Sequence, residues 1–118
     1  MVPGSGEHDS MHLGLIVETN DPGTVWNGFR LGIEALESGH TVEAFFLGDG
    51  VEAPDLPVDH DVNPHGIIRK FHQEGGELEA CSTCMASRDV DPDELRTPGD
   101  MEDLLAIVES ADETITIG

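Results

Sequence analysis

Positive charge is what this sequence has least of: one lysine, Lys70, and four arginines stand against 25 acidic residues, for a formal net charge of -20. Nucleic-acid binding works by displacing condensed counterions from phosphates with Lys and Arg, and so few cations make no such patch. The same field opposes docking on an anionic membrane. Long apolar runs are also missing, since no stretch approaches the ~18 residues of a membrane-spanning helix. Met1 to Ser10 has neither the basic nor the apolar region of a secretory signal. The expected location is cytoplasmic. Aromatics are scarce, with no tyrosine, one tryptophan and four phenylalanines. The core must therefore be Leu, Ile, Val and Ala, which suits a small α/β sheet covered by helices. Cysteine occurs twice, at Cys81 and Cys84. In a reducing compartment a permanent disulfide is not expected, so a catalytic, redox or metal-binding pair is the better reading of that spacing.

The 118 residues suffice for one compact domain and fall short of two. Carboxylates are interleaved with apolar residues along the whole length, which describes a solvated face and not an acidic tail. Self-repulsion at this charge density weakens a compact state in dilute buffer, whereas molar salt shortens the Debye length to about 3 Å and removes most of the cost. A halophile's cytoplasm is the matching environment.

Residues 1–10, rich in Gly, Pro and Ser, read as a flexible tail ahead of a single domain over 11–118. "HLGLIVE" from residue 12 is the continuous apolar run of a buried parallel strand. Asp21 as cap and Pro22 at the first helical position open a helix whose Val25, Phe29, Ile33 and Leu36 share a face until Gly39. "TVEAFFLGDG" is a second strand, followed by a Pro-containing loop over 51–62 that is expected to cross the surface. Asn63 and Pro64 start a second helix with Ile67, Ile68 and Phe71 inward. "ELEAC" is a third strand that delivers Cys81 to its carboxyl end. A helical turn is expected from Pro92, and then a helix opening at Thr97, Pro98 and Asp100 with Met101, Leu104, Leu105 and Val108 as its buried stripe. "ETITIG" is the last strand. The alternation predicts an α/β fold, a Rossmann-like parallel sheet of four to five strands with helices on both faces and right-handed crossovers.

Ligands of open α/β sheets gather beyond the carboxyl ends of the strands, where "ETND", "GDG" and "CSTC" lie. Both thiols are expected to face that mouth. A helical turn over Ser82–Ser87 and the nearby Arg88 would favour a thiolate, while the overall acidic field opposes it. Packing as small hydrophobes is the simplest alternative. Structural zinc takes four ligands, and His60, His65 and His72 form no second paired motif to complete it. A thioredoxin-like dithiol oxidoreductase carries its pair early, after the first strand, whereas this pair follows the third. No metal or other cofactor is expected. Asn20, Asp21, Asn27 and Arg88 are candidate mouth residues, with cap and turn roles the alternative for the first three.

The ordered set "ETNDPGTVWNGFRLGIEALESGHTVEAFFLGDGVEA", "GGELEACSTCMASR" and "DETITIG" resembles the DsrE/DsrF-like sulfur-relay family, in its small single-domain branch with a C-x-x-C pair. The resemblance implies a Rossmann-like sheet, a homo-oligomer (trimer or hexamer), and a cysteine carrying persulfide sulfur between donor and acceptor proteins. Cys81 is similar in placement to the sulfur-accepting cysteine, and Cys84 matches the second thiol. Arg88 is followed by Asp89 where some relatives have Arg-Gly. A different class of function is an oligomeric module that binds a small ligand or senses redox state without turnover.

Overall fold

The computed structural model describes residues 10–118, so residues 1–9 of the expected tail lie outside it. Five strands, β1 (His12–Val17), β2 (Thr41–Phe46), β3 (Glu77–Cys81), β4 (Thr97–Gly99) and β5 (Glu113–Ile117), form one sheet in the order β4-β3-β2-β1-β5. Every neighbouring pair is parallel. Strand periodicity sends alternate side chains to opposite faces. Leu13, Leu15 and Val17 of β1 and Val42, Ala44 and Phe46 of β2 point toward α1 (Pro22–Glu37) and α2 (Pro64–Gln73).

Helix starts follow the capping chemistry read from the sequence. Asp21 accepts the Thr24 N–H at 3.0 Å, and Asn63 accepts the Gly66 N–H at 3.0 Å, with Pro22 and Pro64 filling the first helical positions. Under these helices Phe29 meets Phe71 edge-on at 5.1 Å and Phe46 at 5.8 Å. Such pairs add about 0.5–1.5 kcal/mol each beyond their area burial.

Four expectations change. Thr97–Gly99 is the edge strand β4, not a helix start, because the free edge of β3 offers it a ladder: Glu79, Ala80 and Cys81 pair with Thr97, Pro98 and Gly99. The helix α4 (Met101–Ser110) begins after it with a reciprocal cap, the Asp103 N–H donating to Asp100 at 3.0 Å and the Asp100 N–H to Asp103 at 2.9 Å. Its expected buried stripe is mostly outside: Met101, Leu105 and Val108 are 62%, 55% and 42% exposed, while Ile107 is buried. The cause lies in β1, where Gly14 has no side chain and Ile107 settles over it, turning the Met101 side of the helix to solvent. The turn after Pro92 is a tight bend closed by the Asp93–Arg96 bridge, with no helical turn.

The stretch expected to cross the surface is half interior. Gly48–Asp55 is a 3-10 helix in which Val51 and Ala53 are fully buried. It fits because a Cβ at Gly50 would stand 1.8 Å from the Val17 carbonyl oxygen, so only glycine lets this backbone rest on the end of β1. Its far end is held by Arg96, whose buried guanidinium reaches Asp55 at 2.7 Å. Replacing Gly50 with alanine is expected to cost about 1–3 kcal/mol through forced backbone displacement, read as a lowered urea midpoint at unchanged slope; an unchanged midpoint contradicts this seating.

Candidate functional site

The three carboxyl-end loops converge on the 3-10 segment. From the β1 loop, Asn20 donates its side-chain N–H to Glu52 at 2.8 Å. From beyond β3, Arg88 donates to Asp49 at 3.0 Å through Nη2 and at 3.3 Å through Nε. The backbone N–H of Gly48 donates to the Cys84 sulfur at 3.2 Å. Gly48 has a φ of 57°, a left-handed conformation that glycine adopts without strain.

Cys81 ends β3, and α3 (Ser82–Ser87) starts at the next residue. The first turn of α3 folds back so that the Cys84 N–H donates to the Cys81 sulfur at 3.3 Å. That fold covers Cys81, which is 5% exposed and part of the hydrophobic core, whereas Cys84 is half-buried. The expectation that both thiols face the mouth therefore holds for Cys84 alone. Arg88 also donates to the Cys84 carbonyl oxygen at 3.2 Å, so one guanidinium spans α3 and the 3-10 segment. Asp89 takes φ 54°, a left-handed geometry that aspartate tolerates better than most residues.

The Cys84 thiol is held above the ordinary thiol range. Burial is the main cause and the hydrogen bond with the Cys81 thiol the second; the Gly48 N–H and the charge of Arg88 pull the other way. A thiol so placed rests protonated at neutral pH and gains reactivity as the solution becomes alkaline.

The other predicted residues separate. Asn20 belongs to the rim through Glu52. Asp21 is occupied as the α1 cap, which holds its carboxyl below the usual range through the Thr24 backbone and side-chain hydrogen bonds. Asn27 is exposed on α1 and accepts from Arg30 at 3.2 Å. His60, His65 and His72 are exposed, His65 sitting 2.9 Å from the Pro54 carbonyl oxygen. Among the described residues no three His, Cys, Asp or Glu side chains are grouped to hold a metal ion. Asp49, Glu52 and the Gly48 amide were not singled out as site residues from sequence; the "GDG" string signals an unusual turn, but nothing local says that it closes over a cysteine 36 residues later. A groove of about 290 Å³ runs along α3, lined by Ser82, Met85, Ala86, Val90, Asp91, Pro92 and Pro98 and by neither cysteine.

Fold and site together define a parallel α/β protein presenting a neighbouring pair of thiols at the carboxyl rim of its sheet, one shielded and one accessible. The chain belongs to the DsrE/DsrF-like family, whose model matches residues 11–117. The crystal structure of the YchN protein from E. coli is similar in fold, with a TM-score of 0.78 at 18% identity over 92% of this chain and 100% of that one. No curated protein matches the sequence significantly. No helix among the described residues is long and apolar enough to cross a membrane.

Replacing Arg88 with alanine removes a charge that favours the Cys84 thiolate. The iodoacetamide alkylation profile of Cys84, read by peptide mass, is expected to move to higher pH. A profile that stays in place or moves to lower pH counts against this electrostatic role.

Proposed function

We propose that the protein is a cytoplasmic, cysteine-based sulfur carrier or sulfurtransferase acting in a sulfur relay. The observation that carries this reading is the pairing of the chain's only two cysteines at the rim, with an amide N–H already on the sulfur of the more accessible one. The membership in the DsrE/DsrF-like family supports it. In the reaction a thiolate of the pair attacks the terminal sulfur of a donor persulfide; the donor's own sulfur leaves as a thiolate, and the protein becomes a persulfide. A partner's thiolate then takes the terminal sulfur and the protein's thiolate departs. This is thiol-disulfide exchange with one sulfur as cargo, and it requires no metal and no nucleotide. Asn20 and Arg88 serve the site by fixing the 3-10 segment, and Asp21 by fixing the start of α1. Asn27 is a contact available to a partner from the exposed face of α1.

The assembly is a homo-oligomer, trimer or hexamer, of a halophilic protein. The exposed Met101, Leu105 and Val108 stripe on α4 supports association, and the charge of -20 supports a requirement for high salt.

Two measurements test these readings. The reduced protein incubated with a small-molecule persulfide is expected to consume the donor and release its thiol, while a variant with both cysteines replaced by serine stays inert; equal behaviour of the two would remove the carrier reading and favour a ligand-binding module. By light scattering in molar salt the protein is expected above monomer mass, and Leu105→Lys to lower that mass. A monomeric parent protein in molar salt would end the oligomer proposal.

A further inference from the structure

The family resemblance places the sulfur-accepting role on the first cysteine, but the surroundings of the two thiols differ in a way that reverses the assignment. Cys81 is 5% exposed, closed in by the first turn of α3, and its sulfur already accepts the Cys84 N–H at 3.3 Å. A donor persulfide must bring its terminal sulfur into line with the attacking thiolate, and of the two thiols the buried Cys81 is the less open to that approach. Cys84 is half-buried, and its sulfur touches both the Gly48 N–H and the neighbouring thiol.

We infer that the two thiols act in a fixed order, Cys84 taking up sulfur from the donor and the buried Cys81 resolving the resulting persulfide. This rests on the sulfur-carrier reading. In the first step the Cys84 thiolate attacks the terminal sulfur of R–S–SH, forming Cys84–S–SH while R–S⁻ leaves and takes up a proton. When a partner thiolate collects that terminal sulfur, the departing Cys84 thiolate is received by the Gly48 N–H. In the absence of a partner, the Cys81 thiolate attacks the inner sulfur of Cys84. The Cys81–Cys84 disulfide forms and HS⁻ leaves, so that the carried sulfur is reduced to sulfide and the two thiols are oxidised. An external dithiol supplies the two electrons that return the pair to its starting state. The order makes the protein a carrier when an acceptor is docked and a source of sulfide when none is.

The geometry also explains why the resolving thiol is the covered one. A resolving sulfur exposed to solvent would compete for donors. Cys81 is buried and in hydrogen-bond contact with Cys84, so its attack waits until Cys84 is loaded.

The test uses the reduced full chain and its Cys81→Ser, Cys81→Ala and Cys84→Ser variants, with cysteine persulfide as donor. Intact mass and released sulfide are the readouts, and circular dichroism identifies the variants that keep their fold. The Cys81 variants are expected to gain and retain the mass of one sulfur atom without releasing sulfide. The wild type is expected to release one sulfide per chain and to finish as the disulfide. Cys84→Ser is expected to gain nothing. A sulfur adduct on Cys84→Ser together with none on a folded Cys81 variant would overturn the order while leaving the carrier reading intact. No adduct on any variant and no sulfide from the wild type would overturn the carrier reading, and the order with it. Should both Cys81 variants unfold, digestion of the briefly exposed wild type decides the matter: the first persulfide is expected on the Cys84 side of the pair, and a first persulfide on Cys81 overturns the order.

Discussion

The contact on which the site depends is the seating of a backbone on a backbone: the 3-10 segment Gly48–Asp55 resting at Gly50 against the last carbonyl of β1. From that position the segment presents Gly48 to Cys84, Asp49 to Arg88 and Glu52 to Asn20. Its apolar residues Val51 and Ala53 are removed from water by the same move, and Arg96 ties down its far end through Asp55. Burial drives the segment inward and the polar contacts fix its orientation. The rim around Cys84 thus follows from packing that would be needed for stability in any case.

A thiolate in so acidic a chain meets an electrostatic difficulty, because distant carboxylates all disfavour it. The local arrangement answers with short-range devices. An amide N–H at 3.2 Å and the guanidinium of Arg88 act where the distant charges are screened by salt. Arg88 is shared, however, since Asp49 and the Cys84 carbonyl hold it to one side of the sulfur. Burial prevails in the resting state and keeps the thiol protonated, so the reactivity of Cys84 is conditional on what approaches it.

The opposite face of the sheet carries a cost of its own. There α4 packs through Ile107, leaving a cavity of about 280 Å³ lined by Glu43, Glu79, Asp103, Ala106, Ile107 and Ser110. Burial raises the Glu79 carboxyl pKa, and Asp103, Glu43, Glu77 and Asp100 raise it further. Such a group contributes stability while protonated and loses it as pH rises through its raised pKa. On the same face the His12 Nε2 stands 2.7 Å from the Glu43 carboxylate. The exposed apolar stripe of α4 lies on the same helix.

The sequence by itself determined the elements whose signals are local: the caps Asp21 and Asn63, the helical stripe Val25, Phe29 and Ile33, the alternation of β3 and the delivery of Cys81 to its end. These depend on hydrogen bonds and side-chain periodicity within one turn or a few strand residues, so spacing records them. Only the tertiary structure decided that Thr97–Gly99 pairs as a strand, that Met101 and Leu105 face outward, and that Gly48 meets Cys84. Each of those outcomes depends on a distant partner: the unpaired edge of β3, the bare backbone of Gly14, the carbonyl of Val17 beneath Gly50. An apolar helix residue looks the same in sequence whether or not a sheet lies under it, and a glycine does not name the atom that requires it. The unequal burial of the two thiols has the same origin, since three positions of spacing set them side by side and only the fold of α3 over β3 determines which is covered.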